Sequence, residues 1–306
     1  MSDANRRWAF DDENPVCDTH VHVFDTRNHA MADTRSYTPG MATVSMLRSM
    51  HHANGIGRTV LVQPSVYGSD NSCLLESLAR VGIEKARGIA VIDPQHADSK
   101  LLLRMHQSGV RGLRANFKTG HTAEVASARD YLQALDELPG ELPWILQSFS
   151  RSEQLLELAD CIAACKRPFV LDHFAGLKFD GDDIGRQVDG IVDLLNQPNV
   201  YLKLSAPHRA LNYGGFDTRM PLFVERCLSV APDRIIWGSD WPHTGPSAAR
   251  AGRTLEQVEP FMCIDEHREL LQLSSWCGGE LLQAVLVRTP ERLFGFDDPG
   301  VMSAGF

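Results

Sequence analysis

Two imidazoles separated by one residue, in Asp18-Thr19-His20-Val21-His22, close an apolar run that begins at Val16. If the run is a strand, its period of two sends both rings to the same face. A third imidazole closes Leu171-Asp172-His173, and a carboxylate lies within Trp237-Gly238-Ser239-Asp240-Trp241-Pro242-His243. Gathered at one point, three histidines and an aspartate can do two kinds of work. The carboxylate can act as general base on water while imidazole donors stabilise an oxyanion. The same four groups can ligate one divalent cation and leave a position for water. A single histidine at a strand end is more often a hydrogen-bonded polar residue, so the signal lies in the set. No Gly-x-Ser-x-Gly elbow occurs, which disfavours a serine nucleophile.

These residues must be positioned by recurring elements. Apolar, β-branched runs occur at Val16–Phe24, Thr59–Gln63, Gly88–Ile92, Val110–Arg114, Trp144–Gln147, Phe169–His173, Val200–Leu204 and Arg234–Gly238. Helix-compatible stretches lie between them, among them Asn71–Val81, Asp98–His106, Ser152–Ala164 and Val188–Leu195. Strands alternating with helices pair in parallel, and strands apolar at consecutive positions are covered on both faces. Eight such units predict an α/β fold of the closed (β/α)8 TIM-barrel kind. An open doubly wound sheet is the alternative, but no GxGxxG turn follows the first strand. In a barrel the active site forms at the C-terminal strand ends, where the three histidines and Asp240 fall. No repeat or domain linker is evident, so residues 1–306 are expected to form a single domain with its core at about 16–296. Loops rich in Gly and Pro (Thr38–Met41, Gly214–Gly215, Thr244–Ser247) read as local turns.

With 43% hydrophobic and 23% charged residues in 306, the chain is of the globular kind and can bury a large core. A formal net charge of −9 gives no general field for nucleic acid or an anionic membrane surface. An anionic ligand therefore needs a local basic pocket. Seven cysteines without a CxxC pair read as reduced thiols. The polar stretch from Met1 to Asn14 lacks an apolar signal core, and no run is long enough to span a membrane, so a cytoplasmic location is expected.

The ordered motifs resemble the amidohydrolase-related superfamily, in particular the branch of 2-pyrone-4,6-dicarboxylate lactonase, sulfomuconolactone hydrolase and galactarolactone isomerase. The likeness runs from Val16 to Phe296 through Asp18–Phe24, Val62–Asn71, Ala86–Pro94, Gly109–Phe117, Val170–Gly176, Lys203–Arg209, Ile235–His243 and Thr289–Phe296. It implies hydrolysis of a small carboxylated or sulfonated lactone, with Asp240 activating water and His20, His22 and His173 polarising the carbonyl. Arg114 and Arg209, after strands four and seven, offer guanidinium forks for the substrate anion and match carboxylate-binding arginines of the lactonase. Tyr37 and Ser65 carry over as further substrate contacts, Asn116 is a candidate beside Arg114, and Tyr67 and Asn71 are weaker ones.

Binuclear members of the superfamily carry a Lys or Glu on strand four and a His on strand five. Here those strands end Arg114-Ala115-Asn116 and Leu146-Gln147-Ser148, so two metals are not expected. The branch implies a metal-free site; a single zinc or other divalent cation, if bound, would use His20, His22, His173 and Asp240. The chain departs from the lactonase in two places. Only Lys118 is cationic where a second strand-four arginine stands, and the strand-five tyrosine has no match in Gln147-Ser148-Phe149-Ser150. His208 reads as a loop residue, His243 as a pocket or supporting group, and the His51-His52 pair as surface residues. The rival readings are isomerisation of a sugar-acid lactone, zinc-dependent decarboxylation, and a barrel that only binds.

Overall fold

The eight apolar runs become eight parallel strands in a computed structural model, which describes residues 15–117, 125–181, 183–212, 217–246 and 250–296. Numbered along the barrel, they are β1 Val16–Val21, β2 Ile56–Val62, β3 Ala86–Ala90, β4 Val110–Asn116, β5 Ile145–Phe149, β6 Phe169–Leu171, β7 Val200–Ser205 and β8 Ile235–Gly238. Each pairs with the next in chain order, with registers such as Leu113 on Leu146 and Leu204 on Trp237. The ring closes where the Val21–Trp241 bridge joins the last strand to the first. There the His22 amide donates to the Trp241 carbonyl and the Asp240 amide to the His20 carbonyl, both at 2.9 Å. Gly238 is required at this seam, since a Cβ on it would lie 2.7 Å from both the Cβ and the backbone nitrogen of His20.

Amphipathic helices cover the outside of the sheet. The helix Ser99–Gln107 starts where the Asp98 side chain accepts from the Leu101 amide, a favoured N-cap, and buries Leu102 and Met105. The helix Val44–Asn54 stops at Gly55, whose φ of 68° is readily adopted only by glycine. Two apolar clusters result. One lies between strands and helices; the other gathers Cys17, Val60, Val62, Ile89, Ile145, Val170 and Ile236, which fill the barrel together with Leu293 and Phe294. Each such aliphatic side chain contributes about 1.5–3 kcal/mol by leaving water. At the N-terminal end, Arg87 donates to the carbonyls of Phe294 and Gly295, and Arg58 pairs with Glu291 at 2.7 Å. This end is closed and the opposite end carries the chemistry.

Several local expectations are corrected. Ser152–Ala164 forms two helices, Ser152–Glu157 and Ala159–Ala164, broken at Leu158 with φ −100° and ψ 4°. Thr38–Met41 is more than a turn, because Thr38–Pro39 pairs in parallel with Val258–Glu259. His51 is buried, its Nε2 3.3 Å from Asp18 Oδ2. His208 lies in a short helix, Pro207–Ala210, instead of a loop. Lys118, Gly214–Gly215 and Ser247 lie outside the described residues. All seven cysteines are free thiols, and no helix of the described residues is long and apolar enough to cross a membrane.

Candidate active site

Strand alternation builds the site in layers. Two residues beyond the apolar Ile145 and Val170 come Gln147 and Asp172, and Lys203 of β7 joins them at the same depth. Lys203 Nζ lies 2.8 Å from Gln147 Oε1, 3.1 Å from Asp172 Oδ1 and 3.2 Å from His20 Nδ1. Because β7 adjoins neither β5 nor β1, the contacts with Gln147 and His20 cross the barrel interior, while Asp172 follows the neighbouring strand β6. Gln147 Nε2 and Arg114 Nη2 donate to Asp172 Oδ2 at 3.0 and 3.3 Å. Nothing in the sequence marks Lys203, Gln147 and Asp172 as a unit except their inward parity.

Above this floor stand the candidate catalytic groups. His20 Nε2 and His22 Nε2 are 3.3 Å apart. Asp240 Oδ1 is 3.8 Å from His20 Nε2 and 3.9 Å from the Nε2 atoms of both His22 and His173. His173 and Asp240 leave their strands with φ of 51° and 65°. Left-handed backbone is uncommon for residues with a Cβ and tends to collect at functional sites. The partner of each ring fixes much of its chemistry. His22 Nδ1 is 2.8 Å from the Val62 carbonyl, which can only accept, so the neutral ring carries its proton there. His173 Nδ1 is 2.8 Å from the Ser205 hydroxyl. Asp18 braces the seam: its carboxylate accepts from the Ser239 amide at 2.9 Å and the Ser239 hydroxyl at 2.6 Å.

Burial dominates the ionisation of the rings. It pushes the His20 imidazole down to about 3 and His22 to about 4, and holds His173 well below the usual imidazole range. All three are neutral at physiological pH. For Asp240, burial acts to raise the pKa, but the Arg209 guanidinium, with Nε 2.8 Å from Oδ2, and the neighbouring rings outweigh it. The carboxyl is held well below its usual range and is ionised.

Tetrahedral ligation at zinc distances places donor atoms about 3.3–3.5 Å apart. The His20–His22 spacing matches this, and Asp240 stands a few tenths of an ångström wider. Among the described residues, the groups close enough to share an ion are His20, His22 and Asp240, and His20, Asp172 and His173. By donor type and spacing, the cluster fits one divalent cation.

A cavity of about 230 Å³ opens onto this cluster. It brings together His22, His173, Asp240, Arg114, Arg209, Tyr37, Ser65 and Asn116, while His20 lies beneath, fully buried. Lys178 and Arg250 also line it, and neither was singled out from the sequence. Arg250 stacks over the Tyr37 ring at 3.9 Å and pairs with Glu259 at 2.8 Å, while Lys178 Nζ donates to the Arg209 carbonyl. Phe149 occupies the strand-five position without a tyrosine; its ring centroid is 5.0 Å from that of His173, and the Arg114 guanidinium sits 5.4 Å over it. A second cavity, about 640 Å³, shares Ser65, Arg114 and Asn116 and is lined by Tyr67. Asn71 instead staples a loop through the Val91 backbone. His243 sits behind Asp240, with Nε2 3.0 Å from Glu266.

A parallel eight-stranded barrel with His-x-His at the end of β1, a histidine after β6 and an aspartate after β8 has its polar cluster at the C-terminal strand ends, where barrel enzymes carry their active sites. The chain belongs to the amidohydrolase family, whose model matches residues 17–296. It is 29% identical over 283 residues to 4-sulfomuconolactone hydrolase of Rhizobium radiobacter, covering 91% of this chain and 89% of that one. It is 30% identical over 242 residues to 2-pyrone-4,6-dicarboxylate hydrolase of Comamonas testosteroni, covering 74% and 76%. Among solved structures, a Pseudomonas putida protein assigned as a 2-pyrone-4,6-dicarboxylic acid hydrolase aligns with a TM-score of 0.71 at 26% identity, covering 92% of this chain and 98% of that chain.

Proposed function

We propose that the protein hydrolyses the ring ester of a small anionic lactone, without needing a metal. The observation that carries this reading is an ionised Asp240 facing three neutral imidazoles in a cavity rimmed by Arg114, Lys178, Arg209 and Arg250. The rim is cationic although the chain is acidic, which suits a carboxylate or sulfonate. Names of the relatives, a sulfomuconolactone hydrolase and a pyrone-dicarboxylate hydrolase, support the same substrate class.

The geometry divides the roles. Asp240 Oδ1 takes a proton from water as the oxygen attacks the lactone carbonyl. His22, protonated at Nδ1, presents its one lone pair at Nε2, which takes the His20 Nε2–H in the resting site and can accept the other water hydrogen once that donor turns to the substrate. The carbonyl oxygen, becoming an oxyanion, is stabilised by imidazole N–H donors. His173 can serve if the Ser205 hydroxyl donates to its Nδ1, and His20 can serve with its proton on Nε2. Collapse breaks the ring C–O bond, and the leaving oxygen takes back the proton held by Asp240. Arg114 and Arg209 hold the substrate anion, with Tyr37, Ser65 and Asn116 as neutral contacts. One divalent cation, if held by His20, His22, His173 and Asp240, would supply a Lewis acid at the carbonyl.

The test is a panel of carboxylated, sulfonated, sugar-acid and neutral lactones, assayed by NMR with and without chelator. Hydroxy acids should form from the anionic lactones, undiminished by chelator. Rearranged lactones without water uptake would favour isomerisation. Carbon dioxide release with metal dependence would favour decarboxylation, and no turnover of any lactone would sink the hydrolase reading.

A further inference from the structure

We propose that Lys203 places the proton of His20 on Nε2, and so keeps the four-residue cluster a hydrogen-bonded site instead of a metal site. This rests on the metal-free reading above and supplies its cause. Lys203 is fully buried, within hydrogen-bond distance of Gln147 Oε1 and His20 Nδ1 and ion-paired with Asp172 Oδ1 at 3.1 Å, the surroundings of an ammonium whose N–H bonds can only donate. An ammonium has no lone pair to offer, so His20 Nδ1 must accept. A neutral imidazole that accepts at one nitrogen carries its hydrogen on the other.

His22 has the opposite assignment, with its hydrogen given to the Val62 carbonyl and its Nε2 lone pair free to accept. The 3.3 Å between the two Nε2 atoms is then an N–H to N hydrogen bond from His20 to His22. The same spacing would suit a shared cation, but a cation needs lone pairs on both atoms. His20 could supply one only by moving its hydrogen to Nδ1, where Lys203 already points an N–H. The acceptor on that side is Asp172 Oδ1, at 3.5 Å and itself engaged by Lys203. Lys203 therefore selects between two uses of one constellation. In the hydrogen-bonded use, the His20 Nε2–H rests on His22 Nε2 and passes to a carbonyl oxygen only when substrate displaces that bond.

Lys203 is a positioning residue, and its test reads proton placement directly. In metal-free, full-length protein labelled with ¹⁵N-histidine, His20 is assigned by difference from His20→Gln. The ring nitrogens should report His20 protonated at Nε2 and His22 at Nδ1. In Lys203→Met, His20 should change to the Nδ1–H form with Asp172 as acceptor, and zinc affinity measured by calorimetry should rise about 10- to 100-fold. Lys203→Arg, which keeps a cationic donor, should stay near the wild-type zinc affinity. Wild-type His20 protonated at Nδ1 overturns the proposal, and this result needs no variant to fold. A folded Lys203→Met that keeps the Nε2–H form overturns it too, even if zinc binds more tightly, because simple charge removal would then explain the gain. Absence of lactone turnover would remove the hydrolase reading while leaving the tautomer measurement to stand or fall separately.

Discussion

Replacing Arg209 by Met should move the acid limb of the pH–rate profile upward, because Arg209 is the cation that counters the burial of Asp240. Its Nε lies 2.8 Å from Asp240 Oδ2, and its Nη2 is anchored on the Thr244 carbonyl and hydroxyl at 2.9 and 3.1 Å. A hydrogen bond between charged groups contributes about 1.5–3 kcal/mol, which at about 1.4 kcal/mol per pKa unit is roughly 1–2 units. Removing it leaves burial to raise the Asp240 pKa with less opposition. The sign follows: the active form is the carboxylate, so wild-type kcat/KM should hold to acid pH, while the variant should lose activity as pH falls through a pKa at least a unit higher. A neutral lactone must be the substrate, so that loss of an anion contact cannot mimic the effect. Stability gives a second readout. The depressed wild-type pKa contributes stability above the unfolded pKa that is lost on acidification; in the variant that contribution shrinks. The acid-induced fall in Tm that Asp240 contributes should therefore be smaller in the variant. An acid limb in the same place in both proteins would refute the claim that Arg209 sets the ionisation of Asp240.

Four further outcomes are expected. Asp240→Asn should fold but lose about 10²- to 10⁴-fold in kcat, since an amide cannot take a proton from water; near wild-type turnover would remove Asp240 from the mechanism. Arg114→Met should lose roughly 10- to 150-fold in kcat/KM for anionic lactones and little for neutral ones; equal losses for both would mark Arg114 as a support for Asp172 alone. Metal analysis of purified protein should find well under one zinc per chain, with activity kept after chelation. Gly238→Ala should destabilise by about 1–3 kcal/mol in urea unfolding, because its new methyl would press on the backbone of His20; an unchanged midpoint would show that the seam can spread.

The barrel was legible because its strands are short, apolar at consecutive positions and separated by helical periodicity. Each of the eight expected runs overlaps a strand. Ends and breaks were less so. The break at Leu158 falls inside Leu155-Leu156-Glu157-Leu158-Ala159, all acceptable helix formers, so packing decides it. His51 has the surroundings of a surface residue in Ser49-Met50-His51-His52, but the turn of its helix aims it at Asp18. A window of sequence holds one partner of such a contact and not the other.

The site divides along the same line. His20, His22, His173 and Asp240 could be read because strand ends are visible locally and a barrel brings its ends together. The floor beneath them could not, since its residues come from separate strands and Lys203 reaches Gln147 only across the barrel interior. Their interaction also changes what the visible residues mean. Three histidines and an aspartate are by type a metal site, and by type alone His20 and His22 are equivalent. Val62 and Lys203 make them opposites, one accepting and one donating at Nε2. The rim follows a similar logic, for Arg114, Arg209 and Arg250 each face a resident carboxylate, on Asp172, Asp240 and Glu259. An incoming anion must therefore compete with an internal one. If Arg209 holds the substrate anion as proposed, whatever share of the guanidinium it gives up is withdrawn from Asp240, and the proposed base strengthens when substrate is present.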